Sequence, residues 1–151
     1  MTLLRGALAA LLLLGAGCAS AGPRDGLAPS NPDLTCSFGM PAARMDSLKA
    51  LPPELRQALQ ATAGGMADRG EFFNAGDVVS KPAPFNRFIR AGAIGEYWFV
   101  WYEHGGFAYW KQIVVFGREY ALHIVANQRA TTRDLCAETE RLIATPGSGG
   151  K

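Results

Sequence analysis

Histidine is scarce in this chain: His104 and His123 are the only two. No cysteine stands in a CxxC or CxxH spacing, so a zinc-type site has no ligand set to draw on and no metal is expected. Sequence motifs are lacking too. No GxSxG, HExxH, P-loop or GxGxxG stretch occurs, which weighs against the common hydrolase and nucleotide-binding classes. No cofactor is expected, and no residue is assigned a catalytic role. Charge of one sign is missing as well. Fifteen basic residues face thirteen acidic ones, a balance with no electrostatic footprint for nucleic acid. Finally, no apolar run reaches the roughly 20 residues that a spanning helix needs.

The apolar run that is present lies at the N-terminus. "MTLLRGALAA" carries one positive charge, at Arg5, and is followed by "LLLLGAGCAS". A short positive segment, an apolar segment and small residues at a cleavage point make a secretory signal, expected over residues 1–17. The stretch Leu14-Gly15-Ala16-Gly17-Cys18 resembles the lipobox of bacterial lipoproteins, with Gly15 where that class usually carries leucine. The resemblance covers the first nineteen residues alone. It implies cleavage before Cys18, acylation of that residue and attachment to the membrane through the N-terminal lipid. Ala19 follows the cysteine, and the absence of an aspartate there points to the outer membrane, facing the periplasm. Removing residues 1–17 takes away only Arg5 and leaves fourteen basic against thirteen acidic residues. Attachment would therefore come from acyl chains and not from a basic surface.

With Cys18 acylated, Cys36 and Cys136 remain of the three cysteines. In an oxidising compartment two thiols most simply form one disulfide. Closing a loop of about 100 residues would contribute at most roughly 4–5 kcal/mol in the chain-entropy account. Two free, buried thiols are the alternative. Residues 18–35 are rich in Pro, Gly, Ala and Ser and read as a flexible tether of roughly 20–25 Å. Residues 145–151, "TPGSGGK", read as a disordered tail. One domain over 36–144 is left.

The domain reads as α+β. Met45, Leu48 and Leu51 predict a short helix before residue 51, and Leu55 and Leu59 a second over about 53–63. Pro52-Pro53 separates the two, and Gly64-Gly65 stops the second. "EFFNAGDVV", residues 71–79, predicts a strand. Runs rich in aromatic and β-branched residues predict four more, over 86–92, 96–103, 107–116 and 119–126. Short separators join them into an antiparallel meander of about five strands. Leu135, Thr139, Leu142 and Ile143 make a stripe on a last helix, about 132–144, capped by Thr131 or Thr132. That C-terminal helix is expected to pack on one sheet face, with the helices mainly on one side.

"YWFVWYEHGGFAYW", residues 97–110, raises the functional question. With Gly105-Gly106 as a two-residue turn, Tyr102 pairs with Tyr109, Val100 with Lys111 and Trp98 with Ile113. The next turn, at Gly117-Arg118, would pair Gln112 with His123. One face then carries Ile89, Trp98, Val100, Ile113, Val115, Leu122 and Ile124, which is core material. The other carries Phe88, Arg90, Tyr97, Phe99, Trp101, Glu103, Trp110, Gln112 and His123. Neighbours in a strand point to opposite faces, so Glu103 and His104 do not form an acid/base pair. From the mixed face, Arg90, Tyr97, Trp101, Glu103, Trp110, Gln112 and His123 make a candidate binding surface for an envelope protein, a glycan or a small ligand. Trp101 and Trp110 are cross-strand partners in this register. The competing expectation is a second core layer, covered by residues 66–80, with Arg90 and Glu103 paired. The first functional reading is a non-enzymatic binding or assembly module. The alternatives are an envelope enzyme using Glu103 or His123 as acid/base, and a self-associating structural protein.

Overall fold

A computed structural model describes residues 37–79 and 81–146. The expected signal peptide, Cys18, the tether, Cys36 and most of the expected tail lie outside the described residues. The elements are β1 (Ala43–Met45), a 3-10 turn (Leu48–Ala50), α1 (Pro53–Ala63), β2 (Met66–Ala67), β3 (Asn86–Ile94), β4 (Tyr97–His104), β5 (Trp110–Gly117), β6 (His123–Arg129) and α2 (Leu135–Ala144). The fold is α+β. Six strands form one sheet in the order β1-β3-β4-β5-β6, and β2 joins β3 beside β1. The two-residue β2–β3 pairing is parallel; the others are antiparallel.

The helices follow local rules. α1 begins at Pro53, where a missing N–H costs nothing, and ends at Gly64, whose φ of 74° suits glycine. Leu55 and Leu59 are its buried residues and set its inner face. α2 is capped by Asp134, whose side chain accepts from the Ala137 N–H, and not by Thr131 or Thr132. Those two threonines instead donate backbone N–H and hydroxyl groups to the buried Glu138 carboxylate, fastening the chain ahead of α2.

One predicted element is shortened and another is missing. The short helix expected before residue 51 is present as the 3-10 turn Leu48–Ala50, while Met45 falls in the edge strand β1. β1 pairs Arg44 with Gly92, and a side chain at Gly92 would run into the Ala43 carbonyl and the Phe99 ring. Glycine there lets an edge strand approach that helix propensity alone does not anticipate. Residues 71–79 form no strand. The β3 edge they would need is taken by β2 at Asn86–Arg87 and by β1 at Ala91–Ala93. The segment is held by side-chain and loop contacts instead: Asn74 N–H donates to Pro84 O, its amide to Ala83 O, and Phe73 lies under the Arg87 guanidinium.

The register between β4 and β5 corrects the expected one. His104 pairs with Trp110, Tyr102 with Gln112, Trp101 with Ile113 and Val100 with Val114. The connection is the five-residue stretch 105–109 and not a Gly-Gly turn. Gly105 is the reason. Its N–H donates to Phe85 O at 2.8 Å, and its Cα packs so closely on the backbone of Asn74 and Ala75 that a Cβ has no room. The register differs by an odd number of residues, which turns β5 over relative to β4. β6 differs as well: Gly117 pairs with His123 and Phe116 with Ile124, with Val125 as an extra, bulged residue before Ala126.

Both sheet faces are consequently core. Ile89, Phe99, Trp101, Ile113 and Val115 pack against Leu135, Cys136 and Leu142 of α2. Phe88, Ala91, Val100, Tyr102, Val114 and Phe116 pack against Leu51, Leu55 and Leu59. The helices therefore lie on opposite faces, α2 on one as expected and α1 on the other.

Cys136 opens α2 and is disulfide-bonded. Its surroundings favour Cys36 as partner. The Phe38 ring lies 5.0 Å from Phe99 and 6.0 Å from Trp101. Trp101 Nε1 donates to Thr139 Oγ1, and Gly39 N–H to the Glu140 carboxylate. The chain just after residue 36 thus runs along the helix that begins beside Cys136. Peptide mapping of unreduced, exported protein should give the two cysteine peptides crosslinked. A freely alkylated Cys36 in the native protein would refute the pairing.

Candidate functional site

The residues of the expected binding face do not share one open surface. Trp101 is 1% exposed, beneath α2 and Phe38, and pairs with Ile113 instead of Trp110. Glu103 is 2% exposed, in a salt bridge at 2.6 Å to Arg87, and it accepts a hydrogen bond from the Tyr109 hydroxyl. Burial and this bond to Glu103 both push the Tyr109 phenol well above its ordinary range. Arg90 pairs with Asp46 at 2.8 Å, not with Glu103, because a bulge at Ile89 shifts the β3 register before Arg90. The competing expectation of a second core layer holds for the middle of this face, with α2 as the cover in place of residues 66–80 and Arg87 in place of Arg90.

Tyr97 and His123 are brought together. They stand in one row across the sheet, either side of Gly117, and line a cavity of about 620 Å³ with Glu96, Arg118 and Glu119. The His123 ring lies against Gly117, where a Cβ would meet it, and its Nδ1 contacts Ala121 O. Arg118 lies over Trp98 and donates to Gly95 O. Glu103 sits at the opposite end of β4, so Glu103 and His123 are not one acid/base constellation.

Trp110 and Gln112 fall on the other face, at the far end of the strands. The Trp110 ring is stacked on His104 at 4.0 Å, and the Arg129 guanidinium lies over it at 4.0 Å. Trp110 Nε1 donates to Gln112 Oε1, whose amide donates to Asn127 Oδ1. This stack forms one wall of a second cavity, about 420 Å³, completed by Asp77, Phe85, Gly105, Gly106, Phe107 and Ala108. It is an open cleft with largely apolar walls. Phe107 is 100% exposed and Phe85 40%, and the segment that carries Asp77 also exposes Val78 at 80% and Val79 at 55%.

Under this apolar lip lies a hydrogen-bonded frame. The Asn86 amide donates to Ala63 O at 2.7 Å, which turns its Oδ1 toward His104 Nδ1 at 2.6 Å. Gly105 N–H ties the 105–109 loop to the 74–85 loop through Phe85 O, and Asn74 N–H closes the latter on itself through Pro84 O. Burial first, and the Arg129 guanidinium second, hold the His104 imidazole below its usual range. Of the cleft residues, the expected site included only Trp110. The overlooked signal was a phenylalanine directly after Gly105-Gly106, at a loop tip where no strand partner can cover it.

No protein-family model, curated protein or solved structure matches this chain. Among the described residues no group of three or more His, Cys, Asp or Glu side chains gathers as a metal site, and no helix is long and apolar enough to cross a membrane.

Proposed function

We propose that the protein is a lipid-anchored envelope lipoprotein whose domain is a non-enzymatic binding module. Its contact site in this reading is the cleft between the 105–109 loop and the 74–85 loop, rather than the sheet face. The anchor reading is supported by "LLLLGAGCAS", which ends in Cys18. Acylation at Cys18 would give more than one chain, enough for stable attachment. The outer membrane, facing the periplasm, is the placement that Ala19 favours.

The observation that carries the binding reading is the concentration of exposed apolar side chains, Phe107 above all, around a cleft braced by part-buried hydrogen bonds. A fully exposed phenylalanine contributes nothing to the core, and an apolar concavity with a few polar groups is the usual form of a small-ligand site. Two measurements test the reading. Cys18→Ala should leave unprocessed precursor and abolish membrane fractionation; unchanged processing and acyl labelling would sink the anchor. The neutral probe 2-phenylethanol should shift NMR resonances of residues 85 and 104–110 but not those of Tyr97 and His123. Phe107→Ser should weaken that binding while changing stability by less than about 0.5 kcal/mol. Shifts centred on the Tyr97–His123 cavity instead would move the site to the other end of the sheet.

A further inference from the structure

We propose that the cleft selects an organic ammonium ion: a small ligand with an aromatic or aliphatic body and a protonated amine head. The inference rests on the reading of the cleft as a binding site and adds the chemistry of what enters it.

The side chains that line the cleft offer acceptors and no free donor. Two side-chain N–H groups line the cleft, and each is already engaged. Trp110 Nε1–H donates to Gln112 Oε1 at 2.9 Å. His104 Nδ1 faces Asn86 Oδ1, and the orientation of that amide is set by its donation to Ala63 O, so the Nδ1 must carry the proton and donate. The backbone N–H of Gly105 is bonded to Phe85 O. Acceptors remain. In a neutral imidazole with its proton on Nδ1, the Nε2 carries a lone pair, and no hydrogen bond to it occurs among the described residues. Neutrality of the ring is supported by its burial and by the neighbouring Arg129, which both oppose a second proton. Asp77, exposed on the same cleft, adds a carboxylate. No side-chain donor of the cleft is left free, so a ligand that brings its own donors matches the His104 Nε2 and the Asp77 carboxylate, and the only ionised side chain lining the cleft favours a positive head.

The remaining walls suit the rest of such a ligand. Phe85 and Phe107 offer aromatic surfaces that attract both hydrocarbon and cations. Both faces of Trp110 are occupied by His104 and Arg129, so that ring contributes its edge and its position more than a stacking face. Arg129 is the one cation near the stack and opposes a ligand charge. It is separated from His104 by the Trp110 ring and does not line the cleft, whereas Asp77 does. A cavity of about 420 Å³ is the size of a small-molecule site.

Three probes of one shape separate the possibilities: 2-phenylethylammonium, 2-phenylethanol and phenylacetate, titrated into the full-length exported protein and followed by NMR at residues 77, 85 and 104–110. The ammonium ion should bind tightest and the carboxylate weakest. Asp77→Asn should reduce the ammonium affinity about two- to fivefold, the range for an exposed ion pair, and leave the alcohol unchanged. His104→Phe, which keeps a ring against Trp110 but removes the acceptor, should weaken both donor-bearing probes. Equal binding of all three would overturn the ammonium preference while leaving an apolar binding cleft. No response of these residues to any probe would overturn the cleft as a site, and the ammonium proposal with it.

Discussion

Trp101→Ala should lower the stability of the domain by about 3–5 kcal/mol, the cost of truncating a fully buried tryptophan. The side chain is 1% exposed and sits among Phe38, Phe99 and α2, with its ring 4.9 Å from that of Phe99. Its indole N–H also donates to Thr139 Oγ1 at 2.9 Å, so the variant would lose both the packing and the polar link that seats α2 on the sheet. Against a total stability of about 5–15 kcal/mol this is a large fraction. Trp101→Phe should recover most of the burial and lack mainly the hydrogen bond, worth about 1 kcal/mol. Trp110→Ala is the contrast, because that ring is only half-buried and lies at the sheet margin; its loss should be clearly smaller. Urea denaturation of the three variants checks the order. A cost below about 1 kcal/mol for Trp101→Ala would mean that α2 does not cover this face.

Arg87→Met should cost a similar amount, about 3–5 kcal/mol, for a different reason. Arg87 and Glu103 are both buried, and their side chains meet at 2.6–2.7 Å. Removing the cation leaves a carboxylate in the interior with the Tyr109 hydroxyl as its remaining hydrogen bond, and Lys111 as the facing residue on β5. Burial pulls the Lys111 ammonium below its ordinary range against the raising effect of Glu103, so Lys111 is a poor replacement for Arg87. The double variant Arg87→Met with Glu103→Leu removes both charges and should recover most of the loss. A double-mutant cycle isolates the pair from the contact that Arg87 also makes with the Phe73 ring. Equal losses in the single and double variants would locate the cost in that stacking and not in the buried carboxylate left without its cation.

Much of the fold was legible because it depends on short-range chemistry. Pro53, Leu55, Leu59 and Gly64 define α1 by themselves. The aromatic and β-branched runs mark β3 to β6, and the stripe through Leu135, Thr139 and Leu142 marks α2. Register was not legible. It turns on Gly105 lying against Asn74 and Ala75, a contact thirty residues apart that no turn rule contains. That one contact decides whether the aromatic side chains of β5 share a face with those of β4 or oppose them. The same error dispersed the expected site: Trp101 and Glu103 belong to the interior, Tyr97 and His123 to one end of the sheet, and Trp110 and Gln112 to the other end and face. Glu103 was legible as a carboxylate set among aromatics, though not as a buried one. Its partner was not, because the bulge at Ile89 moves Arg90 away and leaves Arg87 opposite Glu103.

The bulged residue Val125 has an effect on how copies of this molecule meet. β6 is the last strand of the sheet, seven residues long, with no proline and with Ile124 half-exposed. A straight strand of that kind would offer a row of free N–H and C=O groups on which another chain could grow, the starting point of fibrous aggregation. The extra residue breaks the even spacing of those groups and coils the rim. A neighbouring molecule arriving edge-on meets two residues on one side of the bulge and four on the other in place of an unbroken row of seven, a poorer template for a continuous ladder.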